Sequence, residues 1–277
     1  MLLAVGVVFV LIAFAANSVL CRLALHQTQI DPASFTTLRI LSGAITLFIL
    51  IVLKRRAFSL AGSWSAALVL TFYAITFSYS YVGLSTGTGA LLMFGVVQLT
   101  MIATGVYNGE RIGLLAGVGW VLAAMGVVIL VLPGVTAPPI GKALLMVCAG
   151  VGWGAYSLLG RGSKDPFADT AGNFIRALPA VLVMSAIAWR SRSLDFAGVE
   201  YAVLSGAIAS GLGYVVWYAV LPRLRAIVAA NLQLAVPVLA ALAGALMVGE
   251  AITARLTIAG VLVIVGIALA VRRVRSA

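Results

Sequence analysis

Charge is scarce in this sequence. Only 9% of its 277 residues are Asp, Glu, Lys or Arg, whereas 63% are hydrophobic and the mean hydropathy is +1.18. Soluble chains carry about a quarter charged residues, so a water-soluble globule is excluded. Acids are rarest: Asp31, Glu110, Asp165, Asp169, Asp195, Glu200 and Glu250 are all there are, and none falls at the middle of an apolar run. Histidine occurs once, as His26, and cysteine twice, as Cys21 and Cys148, both in apolar runs where a thiol packs as a small side chain. Aspartyl chemistry needs two carboxylates, serine chemistry a base, and metal chemistry several converging ligands. The sequence therefore predicts no enzyme, no metal site and no cofactor. A carboxylate proton relay near the bilayer midplane is not expected either.

What is present is a succession of apolar runs: 2–25, 32–53, 64–82, 86–106, 113–132, 141–160, 171–189, 200–221, 226–248 and 255–271. Each is long enough to span a bilayer as a helix, which takes about 20 residues, and too continuous for a barrel strand, which alternates over about ten. Lipid admits only helices and closed barrels. The fold class is an all-α polytopic membrane protein of ten transmembrane helices. Asp31-Pro32, the segment Pro133 to Pro139, and Asp165-Pro166 supply the breaks. Ala13-Phe14-Ala15 mimics a signal-peptide cleavage site, but no basic residue precedes the long first run, which is expected to stay in the mature protein.

The net charge of +11 comes from 18 Lys and Arg against 7 acids, placed singly or in short runs between the apolar segments. That distribution encodes topology; it is not a phosphate-tracking patch, and nucleic acid is not an expected partner. Eleven of the basic residues lie in the even-numbered connections and the C-terminus, five on the odd side, and Arg39 and Arg176 inside spans. The bias places both termini in the cytoplasm of a bacterial-type inner membrane. The lipid bilayer is thus one partner, and a monomer is compatible with the pattern.

The chain also matches itself. Gly109-Glu110-Arg111-Ile112 corresponds to Gly249-Glu250-Ala251-Ile252 at a shift of 140, which also pairs Val121-Leu122 with Val261-Leu262 and Gly126 with Gly266. At a shift of 139, Phe14, Ala16, Ser18, Leu20 and Arg22 face Trp153, Ala155, Ser157, Leu159 and Arg161; at 137, Arg39 faces Arg176. Two repeats follow, 1–137 and 138–277, each of five spans. Five is odd, so the second enters the membrane from the opposite side. Such inverted 5+5 repeats characterise secondary transporters that alternate around a central site, although duplication can also simply enlarge a bundle.

The segment from Tyr218 to Ala270, with Gly249-Glu250 after a Pro237-containing helix and a Gly/Ala-rich last span, resembles the second EamA-type domain of the drug/metabolite transporter superfamily. The first half resembles it more loosely, and Val97-Gln98 stands where the second has Pro237-Val238. The resemblance implies a ten-span exporter of small metabolites, commonly amino acids, with a central cavity lined by both halves.

Candidate cavity residues are aromatic and uncharged polar groups at helical spacing. Tyr214, Trp217 and Tyr218 share one face of span 8, Tyr73, Phe77 and Tyr81 one face of span 3, and the repeat aligns Phe77 with Trp217. The two faces are expected to meet, unless these rings only fill the core or anchor at interfaces. Asn17, Ser18, Gln98, Trp153, Tyr156, Ser157, Asn231 and Gln233 should also face inward, as substrate contacts or as interhelical glue. Arg39 and Arg176 fit either a carboxylate-attracting or a structural cation. Gly83, Gly87, Gly211 and Gly213 are hinge candidates, in competition with plain close packing. Glu110 and Glu250 fit capping or pairing with arginine, and His26 a solvated surface role. The expected activity is export of neutral amino acids, including aromatic and hydrophobic ones, by uniport. The alternatives are a multidrug or cationic-metabolite exporter and a non-transporting membrane subunit.

Overall fold

Because lipid offers no hydrogen bonds, a chain of this composition satisfies its backbone within helices and buries its polar side chains against them. A computed structural model describes residues 2–55, 61–109, 113–134, 137–160, 163–220, 223–224 and 232–271. In order, α1 is Leu2–Gln27, α2 Pro32–Arg55, α3 Trp64–Tyr81, α4 Thr86–Tyr107, α5 Leu114–Val131, α6 Ile140–Leu159 and α7 Pro166–Ile187. The helix α8 runs through Phe196–Leu204, a π segment Ser205–Leu212, and Gly213–Val220. Then α9 joins Ala235–Ala243 to a π segment Gly244–Val248, and α10 is Ala254–Val271. No strand occurs among the described residues. Seven of the helices, α1, α2 and α4 to α8, are long and apolar enough to cross a membrane. The protein is an all-helical, multi-pass membrane protein.

Three features depart from the sequence reading. The helices α7 and α8 begin at Pro166 and Phe196, upstream of 171 and 200, because Asp165 and Asp195 cap them by accepting from Ala168 N (3.2 Å) and Gly198 N (3.4 Å). The caps hid these starts from a hydropathy count, which takes Asp165 and Asp195 as breaks. The helix α1 extends to Gln27, so His26 sits exposed in its last turn and not in a connection. And α3, expected to be near-continuously apolar, falls outside the seven, yet eleven of its 18 residues are buried. Its hydroxyls resolve the conflict: Thr71, Thr76, Ser78 and Ser80 donate to the carbonyls of Ala67, Phe72, Ala74 and Phe77 at 2.7–2.9 Å. Polar groups that bond within their own helix can occupy a lipid-shielded core.

The main helix contacts are α2 with α7, α4 with α9, α5 with α10, α3 with α6 and α7, α4 with α6, α1 with α8 and α9, and α2 with α8. Replacing each helix by the one five places away maps this set onto itself. The α5–α10 seam carries the same relation at residue level. A Cβ on Gly119 would collide with the Gly266 carbonyl, and one on Gly126 would crowd that of Ala259; at a shift of 140 these contacts are images of each other. Small residues let the two backbones touch where hydrophobic driving force is absent. At the α2–α8 crossing, Gly206 in the π segment lies against the Arg39 carbonyl, with no room for a Cβ.

Candidate functional site

Five helices, α1, α3, α6, α7 and α8, bring aromatic side chains together at the centre. On α3, four-residue spacing stacks Tyr73, Phe77 and Tyr81, with ring centroids 5.5 and 4.8 Å apart. Trp153 of α6 stands 4.9 Å from Tyr73 and 5.2 Å from Tyr214 of α8, and 5.6 Å from Tyr156. One indole thus joins the α3 face to the α8 face. Phe14 of α1 is 6.0 Å from both Tyr214 and Trp217, and Phe174 is 6.0 Å from Tyr214. Each such pair contributes about 0.5–1.5 kcal/mol beyond its buried area, so the cluster is a stable wall. Phe77 and Trp217, aligned by the repeat, are held by different neighbours: Phe77 by Tyr73 and Tyr81, Trp217 by Phe14.

Between these rings lies a chamber of about 20 Å³, lined by Phe14, Asn17, Ser18, Tyr73, Phe77, Met93, Phe94, Trp153, Ala209 and Tyr214. That volume accommodates about one water. No Asp, Glu, His, Lys or Arg is part of the lining. Asn17 Oδ1 accepts from Ser205 Oγ (2.6 Å), tying α1 to the π segment of α8. Of the predicted residues, Asn17, Ser18, Tyr73, Phe77, Trp153 and Tyr214 line the chamber, while Tyr81, Tyr156 and Trp217 flank it through ring contacts. Gln98 is buried on α4 outside the lining. The Tyr218 side chain and Asn231 lie outside the described residues. Phe14, Met93, Phe94 and Ala209 were missed; only Phe14 had a signal, its alignment with Trp153.

Arg39 is buried beside this wall. Its Nη2 donates to Tyr73 OH (3.0 Å), and its Cζ lies 4.9 Å from the Phe77 ring centre and 5.4 Å from that of Tyr73. It is 1% exposed, and among the described residues its Nε and Nη1 have no hydrogen-bond partner. Arg176, its repeat counterpart, is instead half-buried at the bundle end, donating to the Ala61 carbonyl and lying 5.9 Å from the Trp64 ring.

The connections close around the chamber in two clusters. In the first, Arg22 Nε bonds Glu250 Oε1 (2.8 Å) and Arg22 Nη1 donates to the carbonyls of Tyr81 (3.0 Å) and Val82 (3.3 Å). Glu250 Oε2 accepts Thr86 N (2.7 Å), so one carboxylate both pairs with arginine and caps α4. Gly249, with φ 75°, makes the left-handed turn that presents Glu250, and Gly109, with φ 90°, ends α4 the same way. Lys142 donates to the Tyr79 carbonyl (3.1 Å), and Asp31 and Ser193 exchange backbone and side-chain bonds of 3.1 and 3.0 Å. Burial opposes ionisation of Asp31, but bonds from Ser34, Ser193 and Ala33 outweigh it and hold the carboxyl below its ordinary value.

In the second cluster, the α2–α3 link is latched to α7: Gly62 N donates to Asp169 Oδ1 and Ser63 N to Asn173 Oδ1, both 2.9 Å, while Asn173 Nδ2 reaches Tyr156 OH (3.3 Å). A cavity of about 380 Å³, lined by Ser63, Tyr156, Ser163, Asp169 and Asn173 among others, opens here. The predicted hinges are closely packed. Gly83 abuts Lys142, Gly87 abuts Ala241 and Leu256, Gly211 abuts Thr46 and Gly213 abuts Ala13. Cys21 is buried, but Cys148 is exposed on the outside of the bundle, contrary to a packing role.

A multi-pass bundle with an uncharged internal chamber between two sets of latches defines a membrane transporter. The EamA-like transporter family model matches residues 141–272. An uncharacterized protein of Pseudomonas aeruginosa is 54% identical over 264 residues, spanning 95% of this chain and 92% of its own length. The uncharacterized transporter YoaV of Bacillus subtilis is 22% identical over 95% of this chain and 94% of its own, and an uncharacterized transporter of Archaeoglobus fulgidus 28% over 73% of each. A solved crystal structure with 18% identity superposes at a TM-score of 0.65 over 95% of this chain and 97% of that one, a likeness of fold. The chain belongs to the EamA-like transporter family of the drug/metabolite transporter superfamily.

Proposed function

We propose that the protein exports small neutral amino acids, aromatic and hydrophobic ones included, across a bacterial-type inner membrane by alternating access. The observation that carries this reading is the aromatic chamber, built from both halves and lined without a carboxylate. Flat apolar walls with a few convergent polar groups, here Asn17 and Ser18, suit a small amphiphilic solute. In this reading the ten helices form two inverted five-helix repeats, 1–137 and 138–277; the exchange of helix contacts and of the Gly119 and Gly126 contacts supports it. Both termini face the cytoplasm. The 380 Å³ cavity is then the cytoplasmic vestibule, and the Arg22–Glu250 cluster the closed external gate.

The absence of a chamber carboxylate favours uniport over proton antiport. Counterflow in liposomes tests this: vesicles loaded with unlabelled tryptophan, methionine or threonine, without an ion gradient, are expected to accumulate labelled substrate, and glutamate or a lipophilic cation is not. Accumulation with the cation alone would select drug export instead.

A further inference from the structure

A guanidinium sealed away from water, with two nitrogens unpartnered and no carboxylate beside it, is costly to keep unless a ligand completes it. Arg39 meets that description among the described residues, and the rings it stacks on, Tyr73 and Phe77, line the chamber. Stacking occupies its face and the Tyr73 hydroxyl takes one of the two Nη2 hydrogens, which leaves Nε, Nη1 and the other Nη2 hydrogen. One edge of this planar fork, Nη2 with either Nε or Nη1, matches the two oxygens of a carboxylate. Its repeat counterpart Arg176 is occupied by the Ala61 carbonyl, so the two arginines are not equivalent in this state.

We propose that Arg39 is the docking group for the substrate's carboxylate, reached when the Tyr73 and Phe77 rings part as the chamber widens. The chamber therefore selects small aromatic or apolar carboxylates and repels the corresponding amines. This rests on the chamber being the substrate site, and it names the group by which substrates are recognised.

The test is ligand-induced thermal stabilisation of the purified full-length protein by phenylalanine, 3-phenylpropionate and phenethylamine, in wild type, Arg39→Gln and Arg39→Lys. Wild type is expected to gain a few degrees with both carboxylates and nothing with the amine. Arg39→Gln loses the gain while its ligand-free midpoint stays at or above that of wild type, an outcome that a purely structural arginine would reverse. Arg39→Lys keeps the selectivity with a gain at least halved, since a point charge replaces the fork. The proposal is overturned if the amine stabilises wild type as well as 3-phenylpropionate does, if neither carboxylate stabilises it, or if the gain survives Arg39→Gln. Stabilisation by 3-phenylpropionate through Arg39, with no phenylalanine counterflow, would remove the amino-acid reading and leave the carboxylate site standing.

Discussion

Replacing Glu250 with alanine is expected to open the bundle at the Arg22 end. The substitution removes two contacts at once, the 2.8 Å bridge to Arg22 and the 2.7 Å cap on Thr86 N. Breaking a buried pair by deleting one partner costs about 3–5 kcal/mol; with 10% and 14% of the two side chains exposed, the lower part of that range applies. Arg22 would keep only the Tyr81 and Val82 carbonyls, and α1, the α3–α4 turn and the α9–α10 turn would no longer share a clamp. The protein carries its own reporter. Cys21, fully buried and adjacent to Arg22, should be slow to react with a membrane-impermeant maleimide in a Cys148→Ser background, and at least tenfold faster in Glu250→Ala. Glu250→Gln, which retains a neutral acceptor, should fall between them. Unchanged Cys21 reactivity in Glu250→Ala would remove the gate from the account.

The second large effect is expected at Trp153. Its indole is the only aromatic contact described between the α3 and α8 faces, touching Tyr73 and Tyr214 on either side and Tyr156 below. Truncation to alanine forfeits these contacts and enlarges the chamber; buried aromatic-to-alanine changes cost about 3–5 kcal/mol in general. Counterflow per molecule inserted in the membrane should drop at least tenfold in Trp153→Ala. In Trp153→Phe, which preserves a ring between Tyr73 and Tyr214, it should remain within a few-fold of wild type. Near-normal flux in the alanine variant would mean that substrate does not pass between these rings.

Much of this arrangement was legible in the residues, for identifiable reasons. Lipid makes hydrophobicity nearly a structural code, so the runs that became α1, α2, α4, α5 and α6 were readable to within a few residues. Helical periodicity placed Tyr73, Phe77 and Tyr214 on shared faces. Helix starts at Pro166 and Phe196 were obscured because Asp165 and Asp195, which a hydropathy count treats as breaks, act as caps. The π segments of α8 and α9 leave no periodic signature. Partners distant in sequence were the least accessible. Arg22 was read only as a topological charge and Glu250 only as a cap or ion-pair candidate, although the repeat already aligned Arg22 with Arg161 and Glu250 with Glu110. What decided the pairing was the fold, which brings together residues 228 positions apart. The same holds for the α2–α3 latch, where Asp169 and Asn173 recognise backbone N–H groups that carry no sequence identity.

The claim that the aromatic chamber is reached alternately from the two sides of the membrane is tested most directly by one cysteine within it. Ala209 lines the chamber with a small side chain. In a cysteine-free background, Ala209→Cys should react with an impermeant reagent from either face, in right-side-out and in inside-out vesicles alike, and saturating neutral amino acid should slow both reactions. Reactivity from one side only, or reactivity from both sides untouched by any amino acid, would contradict alternating access at this site.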